Sequence, residues 1–151
     1  MEIQSVFLEI AECPIPVIVA LHGACIGAGL DLACLCDMRY GSNCCVVSSK
    51  EILLGVAPDL GSIPALGTQA WALAALLTGS DIPGHDIPWF FSAPLLETAQ
   101  RALCAARSAA RVVANANPRA IRLIKSVVHS NRNHKLASTL STLARGNFAL
   151  L

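Results

Sequence analysis

Charge is what this sequence has least of. Only 14% of its 151 residues are Asp, Glu, Lys or Arg, where an average soluble domain carries about 25%. The 11 basic and 10 acidic side chains leave a formal net charge of +1. That balance excludes the basic stripe needed to bind nucleic acid or an anionic membrane surface. With 54% hydrophobic residues, an intrinsically disordered chain is also excluded. The length suits one domain with a core of its own. A chain this apolar and this short is expected to hide surface in a membrane, in an oligomer or against further polypeptide.

Also lacking is an unbroken apolar run. Leu60 to Ser80 is uncharged over a length that would cross a bilayer, but Gly61, Ser62, Pro64, Gly67, Thr68 and Gln69 interrupt it. The dense part, Ala70 to Leu77, is too short, so no transmembrane segment is expected. The N-terminal MEIQSVFLEIAEC carries acids and no basic leader, so neither a signal nor a transit peptide is expected. The seven cysteines lack paired C-x-x-C spacing, and the four histidines form no ligand pattern with them. They read as small buried hydrophobes in a reducing compartment, with no metal and no disulfide.

Local patterns divide the chain into an α/β first third and a mostly helical remainder. Pro16 to Leu21 reads as a buried strand. HGACIGAG follows as a glycine-rich turn, and Leu30 to Met38 as a short apolar helix. Arg39–Tyr40 and Cys45–Ser48 suggest further strands. Pro58 to Gly61 is a turn. Ala65 to Thr78 predicts a helix stopped by Gly79, and Ser80 to Pro94, with three prolines, an irregular stretch. Leu95 to Asn115 predicts a helix with Leu96, Ala99, Leu103, Ala106 and Ala110 on one face. Helices over Arg119 to Val128 and His134 to Phe148 complete the chain. No repeat or second domain is visible, so 1–151 is read as a single domain with its core motif over 14–61 and a helical region over 95–148.

The chemistry concentrates between residues 22 and 61. GACIGAGLDL puts the backbone N–H groups of Gly27, Ala28 and Gly29 at the start of a helix, where small residues let a ligand approach. A developing enolate or oxyanion suits such a place. Three acids follow in a chain with few to spare: Asp31, Glu51 and Asp59. Each has a plainer reading. Asp31 complements the helix dipole, Glu51 is an exposed strand residue, and Asp59 is a turn former. Together they fit buried acid–base work, in which burial raises carboxyl pKa values toward neutrality.

These residues carry a resemblance. PIPVIVALHGACIGAGLDLACLCDMRYGS followed by KEILLGVAPDLGSIPALG resembles the central signature of the crotonase (enoyl-CoA hydratase/isomerase) superfamily. TGSDIPG and VVANANPRAIRLIKSVV resemble that family's later segments. The fold so implied is α/β, a partial crotonase-type ββα spiral followed by C-terminal helices. Asp31, Glu51 and Asp59, spaced by 20 and then 8 residues, are similar to the acids of Δ3,5-Δ2,4-dienoyl-CoA isomerases, with enoyl-CoA hydratase as the neighbouring activity. The resemblance implies Glu51 beside C2 of the acyl chain, Asp59 deeper beside C6, Asp31 in electrostatic support, and Ala28 with Gly27 at an oxyanion hole. It implies no cofactor beyond the coenzyme A of an acyl-CoA substrate. It also implies a homo-oligomer, trimer or hexamer, and a mitochondrial or peroxisomal address, although no targeting signal is visible and a cytoplasmic place stays open. Family members carry a substantial portion before this motif that supplies the second oxyanion N–H, whereas 13 residues precede Pro14 here. The expectation is therefore a truncated domain: an active isomerase in ancestry, with an inactive crotonase-like subunit as the alternative. GSIPALGTQAWAL and HDIPWFFSAPLLE depart from the family pattern at the pocket wall.

Overall fold

A computed structural model describes residues 2–66, 69–129, 141, 144 and 145. The chain opens with helix α1, Glu2–Glu12, for which no expectation was formed. Its period was present in the sequence: Gln4, Phe7, Leu8 and Ala11 recur at i, i+3, i+4 and i+7. Phe7, Leu8, Ile10 and Ala11 pack with Leu35 of helix α2, Ala28–Leu35. Gln4 rides on that same half-buried stripe.

Strand β1, Ile18–Leu21, follows Pro14 and Pro16 and pairs in parallel with β3, Met38–Gly41. The glycine-rich stretch is more than the expected turn. It contains a three-residue strand, β2 (Ala24–Ile26), parallel to β4 (Val46–Ser48). β4 also pairs in antiparallel with β5, Ile82–Pro83. The expected α2 is displaced: it starts two residues before Leu30 and stops at Leu35, and Met38 belongs to β3. Gly27 makes the early start possible. Its φ of 56° breaks strand β2 in a conformation that favours glycine and hands the chain to the helix.

The helix expected over 65–78 is two pieces, α3 (Ser62–Leu66) and α4 (Ala70–Thr78), the second stopping at Gly79 as expected. Residues 80–94 are mostly short 3-10 turns besides β5. Helix α5, Ala99–Ala114, begins four residues after Leu95 because the Thr98 hydroxyl accepts the Arg101 N–H at 3.2 Å and caps it. Its inward face agrees with the expectation in part: Ala106 is buried and Leu96 and Ala99 are half-buried, but Leu103 and Ala110 are exposed and Ala102 is buried in their place. Helix α6, 118–129, starts at a proline and is capped by the Asn117 side chain, which accepts from the Arg119 and Ala120 N–H groups. The helix expected over 134–148 falls almost wholly outside the described residues.

The core is built from small and soft side chains. Leu30, Ala33 and Cys34 of α2 meet Cys25, Val47 and Phe91 in one cluster. None of the seven cysteines is joined in a disulfide. Cys25, Cys34, Cys36 and Cys45 are buried as expected, whereas Cys44 and Cys104 are exposed and depart from the expectation. Among the described residues no helix is long and apolar enough to cross a membrane, and no group of acids, histidines and cysteines could hold a metal ion.

Asp37, just after α2, ties the far end of the chain to this core. Its carboxylate accepts from the Val17 N–H at 2.6 Å and from Lys125 Nζ at 2.7 Å, and its other oxygen meets His129 Nε2 at 2.7 Å. Lys125 also donates to the Ile15 carbonyl at 2.8 Å. Helix α6 is thereby pinned to the start of β1.

Candidate active site

The three acids come from three segments: Asp31 and Glu51 meet at the N-terminal turn of α2, and Asp59 lies near enough for its charge to act on Asp31. Asp31 lies in that turn, where its N–H donates to the Gly27 carbonyl at 3.0 Å. Its side chain is 1% exposed, and one carboxylate oxygen accepts the Ser62 N–H at 2.5 Å. Asp31 is the acid in the first turn of α2, so it still complements the helix dipole, but it does so out of water. Burial pushes its carboxyl above the ordinary range, although the Ser62 donors pull it down; the negative charges of Glu51 and Asp59 push it up further.

Glu51 opens a 3-10 turn, Glu51–Leu54, and is not a strand residue. The turn carries its carboxylate back against Gly27. A Cβ added at Gly27 would lie 2.7 Å from Glu51 Oε1. The other oxygen, Oε2, accepts from Ser49 Oγ at 2.7 Å. The residue is half-buried.

Asp59 is held from α1. Gln4 Nε2 donates to its carbonyl at 3.1 Å and to Oδ2 at 3.3 Å. Sequence reasoning missed Gln4; its place on the α1 stripe was the available signal. Asp59 sits three residues before Ser62, so the turn that carries Asp59 also delivers the donor to Asp31.

The N-terminal N–H groups divide. Gly27 N–H donates to the Ser48 carbonyl at 2.9 Å and is spent in the β2–β4 ladder. The expectation that Gly27 offers a free donor is corrected: it gives shape by lacking a Cβ, not a hydrogen bond. Ala28 is the first residue of α2 and is exposed, and first-turn N–H groups have no partner within the helix. An electron-rich oxygen placed there would meet a helix N-terminus on one side and the Glu51 carboxylate nearby. Such an arrangement can move a proton beside a carbonyl while stabilising the charge that develops on its oxygen.

The family profile described as "Enoyl-CoA hydratase/isomerase" matches residues 1–148. The chain belongs to the enoyl-CoA hydratase/isomerase family. Among its relatives is the mitochondrial Delta(3,5)-Delta(2,4)-dienoyl-CoA isomerase of Homo sapiens, 29% identical over 153 residues, covering 98% of this chain and 47% of the relative. The peroxisomal Delta(3,5)-Delta(2,4)-dienoyl-CoA isomerase of Arabidopsis thaliana is 40% identical over 86 residues, 55% of this chain and 31% of the relative. The crystal structure of an enoyl-CoA hydratase from Mycobacterium avium subsp. paratuberculosis K-10 superposes with a TM-score of 0.88 at 18% identity, covering 99% of this chain and 62% of the other. These matches bear out the mixed α/β crotonase-type fold. The chain spans about half the length of the curated relatives it matches.

Proposed function

We propose that this crotonase-family chain carries the proton-transfer machinery of an acyl-CoA isomerase that moves 3,5-dienoyl double bonds to the 2,4 positions. The observation that carries the reading is the gathering of Asp31, Glu51 and Asp59 around the first turn of α2, together with relatives named as dienoyl-CoA isomerases. The 3,5-to-2,4 shift removes a proton at C2 and delivers one at C6. In between, negative charge spreads into the thioester carbonyl as an extended enolate.

Glu51, against Gly27, takes the proton at C2, and the Ala28 N–H meets the thioester oxygen. Asp59, held by Gln4, serves C6. Asp31 stays buried between them, its carboxyl fixed by the Ser62 N–H, and anchors the turn that carries Asp59 against the start of α2. By likeness to relatives named as mitochondrial and peroxisomal dienoyl-CoA isomerases, the proposed setting is fatty acid β-oxidation in one of those compartments.

The purified chain incubated with a 3,5-dienoyl-CoA is expected to develop the ultraviolet absorbance of a conjugated 2,4-dienoyl-CoA. Glu51→Gln and Asp59→Asn are each expected to abolish it. Absence of that absorbance, with a full-length relative active in parallel, overturns the reading. Hydration of a 2-enoyl-CoA without any diene shift overturns the isomerase assignment and favours a hydratase.

A further inference from the structure

Away from the acids, the turns joining β1 to β2 and β3 to β4 bring together a thiol, an imidazole and a hydroxyl. His22 Nδ1 lies 3.2 Å from Cys44 Sγ and 3.0 Å from Ser42 Oγ, and Ser42 Oγ lies 3.3 Å from the same sulfur. Backbone bonds lace the two turns. Ser42 N–H donates to the Leu21 carbonyl at 3.0 Å, Val46 N–H to the Gly23 carbonyl at 2.8 Å, and Cys45 N–H to the Ser42 carbonyl at 2.9 Å. Ser42 is fully buried, which fixes one corner of the triangle, while His22 and Cys44 are exposed. Beside Gly23 no atom lies within 4 Å of where a Cβ would stand, so the approach past that residue is open.

Such a triangle is what a thiolate requires. The Ser42 hydroxyl donates to the sulfur, and the N–H groups of Gly23 and Cys44 face it; together they hold the Cys44 thiol below its ordinary range. His22 can receive the thiol proton and keep it within reach. The neighbouring Cys45 is the opposite case: it is buried, and burial pushes its thiol up to about 11. Cys104 is exposed on α5, where the Gln100 amide approaches its sulfur only to 3.9 Å.

We propose that Cys44 is a modification site, a nucleophilic thiol that hydroperoxides oxidise to the sulfenic acid, with His22 and Ser42 as its activating groups. The thiol proton passes to His22 Nδ1. The thiolate sulfur attacks one peroxide oxygen, an S–O bond forms and the O–O bond breaks. The other oxygen leaves and takes the proton from His22, so hydrogen peroxide departs as water. Sulfur is oxidised and peroxide is reduced. None of this depends on the acyl-CoA reading of the acidic site.

The test is site-resolved capture of sulfenic acid with dimedone, by peptide mass spectrometry, on the folded chain treated with limiting hydrogen peroxide. Cys44 is expected to label about threefold or more faster than Cys104, since the larger thiolate fraction outweighs the lower nucleophilicity of a more acidic thiol. His22→Ala, an exposed position, is expected to remove that excess while the Cys104 rate stays unchanged. Unfolding the wild-type chain in guanidinium is expected to equalise the two rates, an arm that needs no variant to fold. Equal rates in the folded chain overturn the proposal. So does an excess at Cys44 that survives either His22→Ala or unfolding.

Discussion

The Glu51 carboxylate rests on the bare face of Gly27, where a Cβ would stand 2.7 Å from Oε1. One contact thus joins the turn that starts α2 to the acid proposed to work at C2. Gly27→Ala tests it twice. The residue has φ 56° and ψ −123°, a sparsely populated region where a side chain costs about 1–3 kcal/mol, so the urea midpoint is expected to fall. The new methyl also displaces Glu51. A misplacement of about 1 Å in a reacting group costs roughly 10²-fold, so isomerase kcat is expected to drop by about that factor. A variant that loses stability but keeps kcat would detach Glu51 from the chemistry.

Gln4 reaches Asp59 across 55 residues of sequence. Its amide donates to the Asp59 carboxyl group and fixes its direction. Gln4→Leu keeps the size and removes the donor. The expected outcome is a lower kcat with KM changed little, because the reacting group loses its fixed orientation. Gln4→Asn, with a shorter reach, is expected not to restore the wild-type kcat. An unchanged kcat in Gln4→Leu would reduce Gln4 to a packing residue of α1.

What the sequence disclosed and what it hid follow from range. β1, α2 and α6 were readable because each is written in a few consecutive residues. So was the stop at Gly79. The acids were singled out by likeness, since their spacing within residues 31–59 is carried in one continuous stretch, and their roles rest on the proposed function. β2 was not readable, because three residues inside a glycine-rich run are too few to show alternation. The α5 face was placed in part, with Ala106 inward but Leu103 outward, because in an Ala-rich helix small side chains mark the inward stripe weakly. Gln4 on Asp59 and Lys125 on Asp37, separated by 55 and 88 residues, have no local signature. The state of Gly27 N–H was hidden for the same reason, since only the pairing of β2 with β4 shows that Ser48 consumes it.

Asp31 gives the molecule a pH dependence whose sign is set by burial. Its folded-state pKa lies above the value of 3.8 for the free side chain, so the native state holds the Asp31 proton more tightly than the unfolded chain does. The stability that follows is fully present below about pH 4, and it is lost as pH rises through the folded value. Asp31→Asn keeps an oxygen for the Ser62 N–H and cannot ionise. Urea midpoints of the two proteins, compared at pH 4 and pH 8, are expected to move in favour of the Asn variant at the higher pH. A difference that is constant with pH would show that Asp31 is ionised without cost.

The Asp37–Lys125 pair is shielded from water, with side chains 14% and 7% exposed. Burial of this kind makes the loss of one partner worse than the loss of both. Lys125→Met leaves Asp37 with the Val17 N–H and His129 alone. It is expected to cost about 3–5 kcal/mol, the penalty for an uncompensated buried charge. Asp37→Asn strands the Lys125 ammonium and is expected to cost a comparable amount. The double variant removes both charges at once, and its loss is expected to fall well short of the sum of the two. Chemical denaturation of the four proteins closes that cycle. Additive losses would mean that the two charges are solvated independently and that α6 is held to β1 by its apolar contacts, not by this pair.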